Sequence, residues 1–182
     1  MAGNWFVALA VPGEPWFSRV AEPPDGVRLF HLDDLHITVA FLGACGEQAA
    51  EAAFAIAPKW PTLALDVTLG RVEPMGNPRR PNAFSAIVRE GADVLRDAIL
   101  VVRDEMCERA GARLDEREPR PHVTIARPRR SAKGPVLRNA MQWARSVDIG
   151  EPRVRLSQLV LYAHSVDRSV RLFREHAVRE LA

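Results

Sequence analysis

Short β-branched and apolar runs, separated by turn residues, recur along this chain. Runs at 5–11, 35–42, 63–72, 83–88, 122–126, 153–161 and 170–177 read as strands. Stretches with apolar residues at every third or fourth position predict helices over 47–57, 92–110 and 136–146, with a shorter one near 16–21. In the longest of these, Val94, Leu95, Ala98, Ile99, Val102 and Met106 form one stripe expected to face a core, and Gly111 marks its end. Proline-rich stretches at 23–24, 74–81 and 118–121 read as loops. Strands and helices mix without regular β-α-β alternation, so the expected class is α+β with antiparallel sheets. No linker, repeat or low-complexity stretch divides residues 1–182, which read as a single domain.

Two of the strand runs carry the same pattern, His36-Ile37-Thr38-Val39 and His122-Val123-Thr124-Ile125, 86 residues apart. With five His and four Thr in the chain, random placement would give only about 0.1 His-x-Thr pairs, so two with matched apolar flanks are informative. On a strand, His and Thr at i and i+2 share one face at roughly 6.6 Å between Cα atoms, while their apolar neighbours face the other way. An imidazole and a hydroxyl so placed both reach one phosphate-sized group. Ile37, Val39, Val123 and Ile125 are expected in a core. Two buried, hydrogen-bonded structural histidines are the plainer reading of such residues. The matched threonines favour titratable groups converging in a cleft.

Composition adds few constraints. The 182 residues and 47% hydrophobic content suit a soluble globular protein. No apolar stretch approaches a membrane span and the start lacks a leader pattern, so a cytoplasmic protein without membrane contact is expected. Cys45 and Cys107 show no metal-ligand or redox spacing, and neither a metal nor a cofactor is expected. The net charge of +2 announces no general nucleic-acid field. Locally, Arg117, Arg120, Arg127, Arg129, Arg130 and Lys133 bracket the second motif, and Arg79 and Arg80 form another pair. Around a candidate catalytic histidine they suggest a polyanion-binding rim.

Two histidines and two threonines suit in-line hydrolysis of a phosphodiester. One imidazole deprotonates water on one side of phosphorus and the other protonates the departing oxygen opposite, both near their unperturbed pKa. Hydroxyls and an arginine would bind the phosphate oxygens. From the residues alone the two roles are interchangeable.

The stretches DLHITVAFLG and RPHVTIARP resemble the two signature motifs of the two-histidine phosphoesterase superfamily. The resemblance is to its RNA 2′,3′-cyclic phosphodiesterase branch, often called 2′-5′ RNA ligases. WFVALAVPGE resembles the family's opening strand, residues 83–88 and the long helix its middle, and LVLYAHS its closing strand. The resemblance implies two pseudo-symmetric lobes, each an antiparallel sheet with flanking helices, around a central groove. It implies His36 as general acid toward the leaving 3′ oxygen and His122 as general base on water, giving a 2′-phosphate. Thr38 and Thr124 would hold phosphate oxygens, and Phe41, Arg127 and Phe6 would line the site. Regular alternation instead puts Phe41 in the core and Arg127 outside, unless the strands end or bulge first. His164 ends a strand close to where the family places a polar groove residue. His31 and His176 are expected at the surface, and Trp16, Trp60 and Trp143 in packing.

The expected partner is therefore an RNA 3′ end or a nucleotide bearing a cyclic phosphate, handled by a monomer without metal. Joining of a 2′-5′ linkage is the reverse of its cleavage at the same site. The alternatives are another cyclic phosphate or nucleotide diester at the same site, and a non-catalytic RNA-binding module whose arginines track phosphates.

Overall fold

The computed structural model describes residues 3–182. Strands β1 (Trp5–Ala10), β3 (His36–Gly43), β8 (Gln158–His164) and β9 (Phe173–Glu180) form one antiparallel sheet, in the order β3-β1-β8-β9. Strands β2 (Val27–Leu29), β4 (Leu65–Asn77), β5 (Arg80–Glu90), β6 (His122–Pro128) and β7 (Arg153–Leu156) form a second, in the order β2-β6-β5-β4-β7. Helix α1 (Glu47–Phe54) packs on β1 and β8, α2 (Ala92–Arg109) on α1 and β3, and α3 (Gly134–Ser146) on β4. The result is the expected two-lobed α+β architecture.

The lobes are not successive halves of the chain. The first sheet takes strands from both ends, and the second takes β2 from between β1 and β3 and the rest from the middle. Residues 153–161, expected as one strand, break at Ser157, where the chain passes from the second sheet to the first. β7 alternates exposed arginines with buried Val154 and Leu156, whereas Leu159 to Ala163 of β8 are all buried. One strand is half-covered and the next fully covered, which is the physical reason for the division.

Four further expectations are corrected. Residues 74–81 are not a loop but the far end of the β4–β5 hairpin. Proline is tolerated there because β7 covers β4 only from Leu65 to Thr68, leaving a free edge beyond. Strand β2 escapes any periodicity because it is three residues long and held only by pairing with β6. The last strand begins at Phe173, and residues 16–21 reduce to a single 3₁₀ turn, Trp16–Arg19. Val94 is 46% exposed and Cys107 takes its place in the buried stripe of α2. That helix stops as its sequence implies: Gly111 is left-handed at φ 64°, and Ala112 N–H reaches the Cys107 carbonyl at 2.8 Å.

The apolar residues of both motifs lie in the core, with Ile37 and Val39 behind β3 and Val123 and Ile125 behind β6. Trp16, Trp60 and Trp143 are buried as well, Trp143 edge-on to Phe84. No helix among the described residues is long and apolar enough to cross a membrane.

Each motif strand carries a β-bulge at the same place. Val7 of β1 faces Ala40 and Ala8 faces Thr38, so Val39 is an extra residue; Phe84 faces Ala126 and Ser85 faces Thr124, so Ile125 is extra. In both strands the two adjacent residues, Val39–Ala40 and Ile125–Ala126, are buried. A bulge of this kind shifts the alternation of faces by one. Ala126→Leu adds volume at a fully buried bulge position and is expected to cost about 1–3 kcal/mol. Urea denaturation measures it, and an unchanged midpoint would refute tight packing around the bulge.

Candidate active site

Strands β3 and β6 belong to different sheets but approach within 8 Å between Cα atoms, bringing the two motifs to one place. The imidazoles are held alike. His36 Nδ1–H donates to the Asp34 carbonyl at 2.7 Å, and His122 Nδ1–H to the Arg120 carbonyl at 2.6 Å. A carbonyl only accepts, so each Nδ1 carries the proton and each Nε2 is left free as acceptor, or as donor once the ring is charged.

His36 packs among three aromatic rings, with centroids 4.8 Å from Phe6, 5.2 Å from Phe173 and 5.8 Å from Tyr162. Burial pushes its pKa from 6.5 down to about 4, and the charges of Arg127 and His122 act in the same direction. Burial also lowers His122, helped by Arg120 and Arg127. The influence of His122 on His36, and of Arg127 on both, matches their placement around one cleft.

The bulges decide where Phe41 and Arg127 go. Phe41 is 56% exposed and pairs directly with Phe6, which touches the His36 ring, so Phe41 shares the His36 face. Arg127 lies beyond the β6 bulge and carries its guanidinium 5.5 Å over the Phe30 ring. Thr38 is exposed beside His36, and Thr124 Oγ1 lies 3.1 Å from the buried Ser85 Oγ on β5.

Three residues escaped the reading of the sequence. Ser85 takes its place only through the β5–β6 register. Asp34 is 1% exposed, and its carboxylate accepts from Arg171 Nε and Leu172 N–H, each at 2.8 Å, and from Phe173 N–H at 3.4 Å. It thereby fixes Phe173 beside His36 while its carbonyl holds the His36 ring. Tyr162 completes the aromatic wall. Asp34 and Tyr162 lie within stretches that resemble the family, DLHITVAFLG and LVLYAHS, but nothing in those stretches marks them as site residues, and Ser85 lies in no motif.

His164 faces the same side as Tyr162 and stacks near Phe173 at 5.4 Å. His31 caps a short turn through the Asp33 N–H. His176 is not a surface residue in the sense expected: its ring lies edge-on to Trp5 at 5.1 Å and meets Glu51 at 2.9 Å. With Glu47 and Glu51 it forms a group of potential metal-ligating atoms within 4.8 Å of one another, on the helix side of the sheet away from His36. The basic rim is partly neutralised, with Arg117 on Asp115 and Arg120 on Glu73. Arg80 reaches the Arg130 carbonyl at 2.8 Å. A depression of about 790 Å³ beyond Tyr162 and Phe173 is lined by neither motif histidine.

Between pH 6.5 and about 4 an unfolded chain binds a proton that buried His36 refuses. The contribution of His36 to stability is therefore full above pH 6.5 and declines as the pH falls toward 4, by on the order of 3 kcal/mol. Urea midpoints from pH 7.5 to 4 should fall less steeply for His36→Gln than for the unaltered protein. Parallel curves would show that His36 is not shielded.

No family model and no curated protein matches this chain. Solved structures do. E. coli LigT complexed with 3′-AMP superposes with a TM-score of 0.71 at 20% identity, covering 98% of both chains. A crystal structure of a phosphoesterase gives 0.70 at 21% identity, again over 98% of each. A Thermus thermophilus protein gives 0.68 at 17% identity, over 98% of this chain and 97% of that one. Over nearly its whole length, this chain has the two-lobed fold of these three proteins.

Proposed function

We propose that this chain is a two-histidine phosphoesterase that opens the 2′,3′-cyclic phosphate at an RNA 3′ end to a 2′-phosphate. The observation that carries the reading is the matched pair of Nδ1–carbonyl hydrogen bonds, which leaves two free Nε2 atoms on strands that meet across the lobes. Structures of E. coli LigT with 3′-AMP, NADP+, ATP and phosphate support a nucleotide or RNA ligand.

In this reading a water oxygen attacks phosphorus and His122 Nε2 takes its proton. The P–O3′ bond breaks, and protonated His36 Nε2 gives its proton to O3′. Thr38, Thr124 and Arg127 hold the equatorial oxygens as charge develops on them. Before substrate arrives both rings are neutral at pH 7. The anionic phosphate supplies the charge that lets His36 gain its proton, and a ring of low pKa releases it readily. Phe41 and Phe6 flank the site, with exposed Phe41 available to stack on a base. With the 5′-hydroxyl of a second strand attacking phosphorus in place of water, the same proton transfers would join a 2′-5′ linkage as O3′ leaves.

A short oligoribonucleotide ending in a cyclic phosphate tests the proposal. Turnover is expected in EDTA with a 2′-phosphate product, and His36→Ala or His122→Ala should each lower kcat by about 10²–10⁴-fold. A 3′-phosphate product would reverse the leaving group and the two roles. Full activity in either variant would remove the two-histidine mechanism. Because both free imidazoles titrate below their ordinary 6.5, kcat/KM should peak on the acid side of that value and fall as the pH rises past it.

A further inference from the structure

Three arginines gather at the end of the groove beyond His36. Arg28 on β2 is the direct cross-strand partner of Arg127 on β6, so their side chains share a face. Like charges directly opposed across a strand pair destabilise it. The Arg28 guanidinium also donates to the backbone carbonyl of Arg168, and to that of Ser169 at 3.3 Å. The second lobe thereby holds the loop between β8 and β9 of the first lobe and adds a third cation to the cluster.

His164 closes the group. The rings of His36, Phe173 and His164 stand in a row, 5.2 and then 5.4 Å apart, so His164 sits one ring farther along the groove than the motif histidine. Burial lowers its pKa, and the charges of Arg168 and Arg127 lower it further, which places both cations nearby. Burial lowers the pKa of Arg127 as well, and the charge of Arg168 adds to it.

Nothing acidic answers these charges. Arg171, in the same loop, is paired with Asp33 and Asp34. Asp167 turns its carboxylate to the Ser169 N–H at 2.9 Å. Among the described residues, Arg28, Arg127 and Arg168 have no carboxylate partner. Three cations and a neutral imidazole held together by the fold form a strong local field for an anion, and the forked guanidinium matches phosphate oxygens.

We propose that Arg28, Arg168 and His164, beside the Arg127 that serves the reacting phosphate, form a second subsite that holds the phosphate next to it. Resting on the function proposed above, this makes the preferred substrate one with two phosphates one nucleoside apart. The second is either the phosphodiester preceding the terminal nucleotide of a strand or the 5′-phosphate of a mononucleotide.

Three substrates separate these cases: a nucleoside 2′,3′-cyclic phosphate with a free 5′-hydroxyl, the same compound with a 5′-phosphate, and a dinucleotide with a free 5′-hydroxyl ending in the cyclic phosphate. The unaltered protein is expected to show kcat/KM about tenfold or more higher for one or both substrates with a second phosphate. A gain for the dinucleotide alone assigns the subsite to an RNA strand; a gain for the 5′-phosphate alone assigns it to a mononucleotide. Arg168→Ala and His164→Ala should remove most of the gain while changing turnover of the 5′-hydroxyl nucleoside less than about twofold. Equal turnover of all three by the unaltered protein, or an equal loss on all three in both variants, overturns the subsite.

Calorimetric binding of adenosine 2′-phosphate and adenosine 2′,5′-bisphosphate decides the mononucleotide case without turnover, and a dinucleotide ending in a 2′-phosphate decides the strand case. Weaker binding of a two-phosphate ligand alone in Arg168→Ala supports the subsite, even if no cyclic phosphate is hydrolysed and the functional reading fails. Unchanged binding of all three ligands overturns it.

Discussion

A regular strand presents its side chains to two faces in strict alternation, and at Val39–Ala40 and Ile125–Ala126 this chain breaks that rule at the matching place in each motif strand. The consequence reaches across the cleft. Without the slip, Phe41 would enter the core and Arg127 would leave the groove. With it, an exposed aromatic and a cation stand on the sides that carry the histidines, and the apolar residues behind them still fill the core. Both bulges pair a β-branched residue with alanine. The small side chain lets two consecutive residues be buried where one ordinarily is.

The electrostatics follow from that arrangement. Aromatic walls and close packing withhold water from His36, so the ring stays neutral, while Arg28, Arg127 and Arg168 gather beyond it toward His164 with no carboxylate partner among the described residues. In the proposed function an arriving anion would both offset the repulsion among the guanidiniums and raise the proton affinity of an imidazole. Binding and protonation would then be coupled without a carboxylate at the histidine Nδ1 positions, where backbone carbonyls set the tautomer.

The interleaving of the lobes makes this geometry stiff. Because the first sheet is closed by β8 and β9 after the second has been built, neither lobe is a continuous piece of chain. Asp34 ties the start of β3 to the start of β9, and Arg28 ties β2 to the loop between β8 and β9. Both links span more than 130 residues of sequence and end beside the histidines. A buried carboxylate answered by an arginine and backbone N–H groups resists being pulled apart, since releasing it would leave a charge without partners.

Local chemistry sufficed to read much of this from the residues. Alternating and three-to-four periodicities placed most strands and the three helices, and the twin His-x-Thr strands identified the two imidazoles and their hydroxyl companions, because strand geometry depends only on neighbours two apart. Side-chain facing beyond a bulge, the burial of Asp34 and Ser85, and the gathering of Arg28, Arg168 and His164 could not be read that way. They depend on which strand lies opposite which, and that is settled by packing between segments far apart in the chain. Hydrophobic periodicity says that a face is covered; only the closed tertiary structure says what covers it.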